Sequence, residues 1–506
     1  MSELVAGLAC SSRIVAALAW GWCAAPGALA VQSTPPAAPP ASTAASTTAE
    51  APPLLDVKFA DDLRLTVPGW EGARFWMEGR WRSEHWSHFE TPSTDGDYDF
   101  GHFRFRQGLA QKLGPVEFGF EWQSANVFGV DVDAPVGPGK NYIDANRSGS
   151  PQDLTIRQLW AELAFDGSLA RLGRQVYEDN AGVKYDDGAF QWLRDRGNAR
   201  LVGNLDWTAG GRNWDGVSWQ RESKEWLARA IAFEANVGAF DIDDGSDSLE
   251  DAQVGGLEIV SKRGTCVDST ELRAFGYAFR DDRPAAVAKF GDGLFATTAG
   301  AQAAARLAAG PGALDLFLWG ALQRGDAGAR AQRAGAWVAE AGYRLDSMAW
   351  KPWFRVGHAR GQGDSDATDG ESNDFYNGLP TNHTYYGFAD LFALTNLRDS
   401  YVDLLLDPHP QLRFTASAHL FAAASGGSRA TFGSGPFTAN TFGYGTFATT
   451  SRNFGEEYDL TLRASSSDKK LYALLGWSLF CGGTAFERLF ATADAQFAYL
   501  ELGFKF

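Results

Sequence analysis

Beyond the amino terminus, no stretch of this sequence stays apolar long enough to form a membrane-spanning helix. That excludes a helical membrane protein. It does not exclude a barrel, because a barrel strand shows lipid only every second residue. Long helical periodicities are missing too, which argues against a helical bundle. Cysteine is scarce, with four in 506 residues. Cys10 and Cys23 fall in a leader-like segment, while Cys266 and Cys481 lie far apart without metal-ligand spacing. No metal site and no cofactor is expected. Whether Cys266 and Cys481 pair in an oxidising compartment stays open. Positive charge is in deficit, 45 Lys and Arg against 62 Asp and Glu, for a net charge of -17. Nucleic acid is therefore not an expected partner, since its phosphate backbone requires a basic surface. Neither a Gly-x-Ser-x-Gly elbow nor a His-Glu-x-x-His run is present. An outer-membrane lipase or protease has no motif to rest on, and no enzyme is expected.

Aromatics and glycine are plentiful: 35 Phe, 18 Trp and 57 Gly against only 3 Met. Such an excess suits aromatic girdles at two membrane interfaces. Residues 1–30 read as a secretory signal peptide. Arg13 precedes the apolar run Ile14 to Trp22, and Ala28-Leu29-Ala30 offers a cleavage site. Residues 31–70 open on an Ala/Pro-rich stretch that cannot bury a core and read as a disordered linker. A folded plug domain ahead of the barrel has no room there, which disfavours an energised transporter. Residues 71–506 carry the strands.

The end of the sequence shows the pattern cleanly. Ala498, Leu500, Leu502, Phe504 and Phe506 share one parity, and Tyr499, Glu501, Gly503 and Lys505 the other. A strand with one apolar and one wet face alternates in this way. A terminal Phe on such a strand is the mark of outer-membrane barrels, whose last strand closes against the first. Arg74 to His88 adds the decisive feature. Phe75, Met77, Gly79 and Trp81 lie on one face, with Arg74, Glu78, Arg80, Arg82 and Glu84 on the other; Trp76 is an exception. A ladder of charges is prohibitive in a sealed core and costs little beside a water-filled lumen. Arg104 and Arg106 repeat the pattern in the next strand, Arg174 follows Gly173, Arg355 follows Trp353, and Arg413 and Arg463 alternate with apolar residues later.

Long loops alternate with tight turns such as Leu113-Gly114-Pro115 and Asp166-Gly167-Ser168. The expected fold is all-β: a transmembrane antiparallel up-and-down β-barrel of about 18 strands, with long extracellular loops and short periplasmic turns. An even strand number places both ends of the barrel in the periplasm. Acidic runs, Asp241 to Asp251 and Asp364 to Glu371, fall in loop-like stretches. They read as solvated faces or, on a cell surface, as sites for divalent cations.

Four segments, Arg157-Gln-Leu-Trp-Ala161, Leu172-Gly-Arg-Gln175, Arg212-Asn-Trp-Asp-Gly-Val217 and Leu379-Pro-Thr-Asn-His-Thr-Tyr-Tyr-Gly387 with Asp390, occur in that order. Together they resemble the alginate export family of outer-membrane barrels, over roughly residues 73–506. The resemblance implies an 18-stranded barrel with a basic lumen through which an anionic polyuronate diffuses out. The family's prototype has a long periplasmic loop near its last strands, whereas the turn Ser465 to Asp468 is short here.

The expected function is a passive, anion-selective outer-membrane channel for an alginate-like polysaccharide or oligosaccharide; the alternative is a small-solute porin. Lumen and selectivity candidates are Arg74, Arg80, Arg82, Arg104, Arg106, Arg174, Arg355, Arg413 and Arg463. Guanidinium groups bind carboxylates bidentately and keep their charge. They either line a basic constriction or brace the wall against Glu78, Glu117, Glu121 and Glu457. Arg171 and Arg174 have opposite parity, so at most one faces inward. His383, Tyr385, Tyr386 and Asp390 are candidates for a loop over the external mouth. Expected partners are outer-membrane lipid, the anionic cargo, and the barrel-assembly machinery through the Phe506 strand. The expected state is a monomer in a Gram-negative outer membrane.

Overall fold

The computed structural model describes residues 72–87, 89, 96–131, 137–284, 293–366, 368–381, 383, 385–426 and 451–506. The expected signal peptide and linker, residues 1–30 and 31–70, lie outside them. The first strands are β1 (Arg74–Ser87), β2 (Asp97–Leu113), β3 (Val116–Phe128), β4 (Gln152–Phe165) and β5 (Ser168–Gln175). Next come β6 (Trp214–Glu222), β7 (Trp226–Asn236), β8 (Ser248–Ser261), β9 (Thr270–Asp281) and β10 (Leu294–Ala309). Then follow β11 (Gly312–Ala327), β12 (Arg330–Arg344), β13 (Trp353–Gly361) and the two-residue β14 (Glu371–Ser372). The last are β15 (Leu397–His409), β16 (Leu412–Ala423), β17 (Asn453–Ser465), β18 (Leu471–Gly482) and β19 (Ala495–Lys505). Among the described residues, two helices, α1 (Gly137–Asn146) and α2 (Gly188–Asp195), interrupt the connections.

β14 only extends the edge of β12. The other eighteen strands pair antiparallel in chain order, and β1 closes against β19 with Arg82 opposite Glu501. The barrel therefore has the expected strand number and topology. Closure leaves no unpaired edge, which a membrane demands of any sheet. Phe506 extends the seam: its backbone N–H donates to Met77 O at 2.8 Å, and Met77 N–H returns the bond at 3.0 Å.

Turns at one end are short. Asp166 (φ 46°) and Gly167 (φ 72°) both sit at positive φ between β4 and β5, as a two-residue hairpin of the favoured twist requires. At the other end the connections 129–151, 176–213 and 362–396 are long, although β11 and β12 join through 328–329 alone. The run Asp241 to Asp251 is not wholly a loop, because Ser248 to Asp251 belong to β8.

Alternation sets the two faces. Leu154, Leu159, Leu172, Leu318, Leu322, Leu475 and Leu502 project outward and are exposed. Arg80, Arg82, Glu84, Arg104, Arg106, Glu258, Arg355 and Glu457 project inward and are buried. Trp76 and Trp160 also face inward, against the usual polarity. Each ring lies over a neighbouring strand's glycine. A Cβ on Gly108 would meet the Trp76 indole at 2.1 Å, and one on Gly119 the Trp160 indole at 2.2 Å.

Candidate functional site: the lumen and its inserted segments

Among the described residues, two long connections run into the barrel and fasten to its strands. The first, 176–213, carries α2. Asp187 caps this helix, accepting from Ala189 N and Phe190 N at 3.1 Å each. Such a cap satisfies amide donors that a helix start leaves unpaired. Phe190 and Leu193 bury against the lumen core. Arg194 donates to Glu271 on β9 at 3.0 Å, and Arg196 to Glu340 on β12 at 3.0 Å. The segment is thus tied to two wall strands that stand three apart in the sheet.

Its far end is held by one carboxylate. Asp206 accepts from Arg106 at 2.6 Å, Arg157 at 3.0 Å and Arg104 at 3.1 Å. Arg80 donates to the carbonyls of Asp206 at 2.6 Å and Thr208 at 2.7 Å. Desolvation inside the barrel favours the neutral Asp206 acid, but the guanidiniums of Arg104, Arg106 and Arg157 hold it well below the usual carboxylate range. The Asp206 side chain keeps 38% of its surface open toward the lumen. Glu178, at the other end of the segment, behaves oppositely. Desolvation, then the neighbouring charges of Asp206 and Asp179, push its carboxyl up to about 7.

The second segment, 362–396, does not cover the mouth from outside as the sequence suggests. It descends into the lumen. Phe388 N donates to Asp459 at 3.2 Å and Ala389 N to Glu457 at 2.9 Å, both on β17. His383 pairs with Asp390 at 2.7 Å. The Tyr385 hydroxyl lies 2.8 Å from Asn198 O and 2.9 Å from Asp195 O, and Tyr386 accepts from Arg200 at 2.9 Å. Tyr385 and Tyr386 fasten the two segments to each other, the His383–Asp390 pair braces the second segment internally, and the amides of Phe388 and Ala389 tie it to the wall. Phe375, Tyr376, Leu391 and Phe392 join Leu201, Val202, Phe421 and Phe480 in one buried cluster that fills this part of the barrel. The acidic stretch behaves differently along its length: Asp366 and Asp369 are exposed, while Asp364 is buried and pairs with Arg330 at 3.0 Å.

The candidate arginines separate by position. Arg80, Arg104 and Arg106 meet at Asp206. Arg82 pairs with Glu501 at 2.6 Å, and Arg355 with Glu340 at 2.7 Å and with Asp315. Arg74 lies at the rim beside Glu117. Arg413 pairs with Asp407 at 2.6 Å. Arg463 lies 5.3 Å from the Tyr472 ring centre, with no carboxylate partner among the described residues. Arg174 is the exception: it faces outward. It stands opposite lipid-facing Leu159, shares parity with exposed Leu172, and pairs with Asp215 at 2.6 Å. Arg171 takes the inward place, pairing with Glu162 at 2.8 Å beneath Trp160. Cys266 is a free, exposed thiol, so it forms no bond with Cys481.

Asp206, Arg194, Arg196 and Arg200 carry no local pattern in the sequence that marks them as lumen residues, and the inward acids Glu258 and Glu340 lie outside the expected set. The length of 176–213 was the available signal, since loops this long in compact structures are usually functional.

Below the inserted segments, a cavity of about 830 Å³ opens at the short-turn end. Arg80, Arg104 and Arg344 line it together with Lys351, Arg413, Arg463, Lys469 and Lys505. Among the described residues that line it, Glu78, Asp206 and Asp407 alone oppose them, so eight cations face three carboxylates in a protein of net charge -17.

A model of the alginate export family matches residues 138–494. No match was found among curated proteins. Among solved structures, the chain is similar to OpdK of Pseudomonas aeruginosa, determined with vanillate, at TM-score 0.52 and 13% identity, covering 85% of this chain and 98% of that one. It is similar to OccAB1 of Acinetobacter baumannii at TM-score 0.56 and 12% identity, covering 86% and 97%. OccAB2 of the same organism gives 0.54 and 11%, covering 86% and 98%. At such identity the likeness is one of fold.

Proposed function

The chain belongs to the alginate export family, and from that membership we propose that it passes an anionic polysaccharide or oligosaccharide by diffusion. It is an outer-membrane channel of a Gram-negative bacterium. The observation that supports an anionic cargo is the basic vestibule. A polyuronate arriving from the periplasm meets eight cationic side chains against three acids. Lys351, Arg463 and Lys469 have no carboxylate partner among the described residues and are free to attract it. Arg80 and Arg104 have a second duty, since they also hold the segment at Asp206. A small solute remains the second reading, because two inserted segments occupy the lumen and leave a long polymer little room unless they move.

The test is bilayer recording with the Lys351→Gln, Arg463→Gln, Lys469→Gln triple variant. The wild type should select anions and be blocked by polyuronate oligomers. The triple variant should shift the reversal potential toward cations and weaken the block. A cation-selective wild type indifferent to polyuronates would falsify the anionic reading and leave the channel itself intact.

A further inference from the structure

The outer face of the wall carries an arginine belt that has no role in the lumen. Arg324 on β11, Arg333 on β12, Arg360 on β13 and Arg398 on β15 all have outward parity. Each stands beyond the lipid-facing residues of its strand, toward the long-loop end. Leu322, 71% exposed, precedes Arg324, and Val356, 56% exposed, lies below Arg360. The register pairs like charges directly: Arg324 is opposite Arg333, and Arg360 is opposite Arg398. Like charges directly opposed across a ladder destabilise it. Local acids relieve only one of the four arginines. Glu371 pairs with Arg333 only. Asp326 and Glu456 also face outward nearby, yet neither lies within ion-pair distance of Arg324, Arg360 or Arg398 among the described residues.

Beneath the belt lies a groove of about 810 Å³. Its floor is small, Ala299, Ala301, Gly320 and Gly335, and its walls are Leu322 and Trp337, with Arg360 at the upper rim. A basic rim over an apolar trough complements an anionic headgroup over acyl chains. Arginine is well suited to phosphate, which it grips through paired N–H donors.

We propose that this face binds a phosphorylated glycolipid of the outer leaflet, its phosphates between Arg324, Arg360 and Arg398 and an acyl chain in the groove below. Bound phosphate relieves the two opposed arginine pairs.

The test uses the full chain, delipidated in mild detergent and followed by native mass spectrometry. The probes are diphosphorylated lipid A and the same lipid stripped of phosphate. The wild type should retain the phosphorylated form roughly tenfold more strongly, as expected when charge-assisted bonds are lost. R324Q/R360Q/R398Q should lose that preference. Gly320→Leu should weaken retention of both forms, since its added Cβ meets nothing nearer than 3.8 Å and the side chain extends into the trough. Inorganic phosphate at equal concentration should not displace the lipid. Equal retention of both lipids by the wild type, an unchanged preference in the triple variant, unchanged retention by Gly320→Leu, or displacement by inorganic phosphate overturns the proposal. The wild-type comparison decides alone should the triple variant fail to fold.

Discussion

Asp206 Oδ1 accepts from Arg106 Nη2 at 2.6 Å, joining an inserted segment to a wall strand 100 residues earlier in the chain. Arg104 and Arg157 converge on the same carboxyl. Asp206→Asn keeps the shape and removes the charge that three guanidiniums share. Breaking a fully buried pair costs about 3–5 kcal/mol. Asp206 is partly open to lumen water, so screening reduces the loss to on the order of 1–2 kcal/mol. The expected outcome is a lower temperature for the gel-mobility change on heating and a noisier, larger single-channel conductance. Because the Asp206 pKa is depressed, its contribution is present above the ordinary carboxylate pKa and is lost only as pH falls well below 4. Conductance unchanged in Asp206→Asn means that this node does not hold the segment.

Glu178 gives a second, opposite pH dependence. Its carboxyl is raised to about 7, so the folded protein holds a proton that the unfolded chain releases near 4.5. Stability from this group is present at low pH and declines as pH rises from about 4.5 through 7. Ionised Glu178 then faces Asp179 and Asp206. Conductance fluctuations of the wild type should increase between pH 6 and 8, on the order of the titration of one group. Glu178→Gln should abolish that increase. A pH response that survives in Glu178→Gln assigns it to another group.

How far the sequence could be read depended on the range of the interaction. The parity of β1 and β19 is a local property of period two, and the inward arginines Arg80, Arg82 and Arg104 follow from it directly. The choice between Arg171 and Arg174 needed one more fact. Leu172 shares Arg174's parity and faces lipid. Parity therefore tied Arg174 to the outside, but only the register against Leu159 shows it. The descent of 362–396 was not legible. Its seats are Glu457 and Asp459, about seventy residues away in sequence, and no local pattern encodes a bond of that separation. Trp76 and Trp160 broke the alternation for a reason also held in neighbouring strands, where Gly108 and Gly119 leave them room.

Phe388 provides a test of the second segment's seat. Its ring stacks on Tyr499 at 5.1 Å, and a Cβ on Gly476 would meet it at 2.1 Å. Gly476→Val should therefore displace the ring, lower thermal resistance and enlarge the conductance. Phe388→Ala removes the packed ring and should cost about 3–5 kcal/mol. In the double variant the new valine side chain enters the space the ring leaves. It should resist heat better than the sum of the two single losses allows. Strict additivity would show that Phe388 does not pack on β18 in the membrane.

The Arg174–Asp215 pair offers a test on the lipid side. It lies on the same outward face as Leu159, Leu172 and Val217, with Arg174 and Asp215 2.6 Å apart. Paired, the two charges satisfy each other where water is scarce. Alone, either faces hydrocarbon without a partner, and an unpaired arginine there costs about 2–4 kcal/mol near the midplane. Asp215→Leu should thus impair the barrel strongly, and Arg174→Leu less, since an acid is the cheaper charge to leave unpaired. Arg174→Leu with Asp215→Leu should recover most of the loss, because two apolar side chains of fitting size suit that surface as well as the ion pair does. The measurement is urea resistance of the barrel in lipid vesicles, arranged as a double-mutant cycle. Two mild single effects that simply add would place the pair at the headgroups, where each charge finds water. A large interaction between them places it in the apolar band, where neither charge finds water.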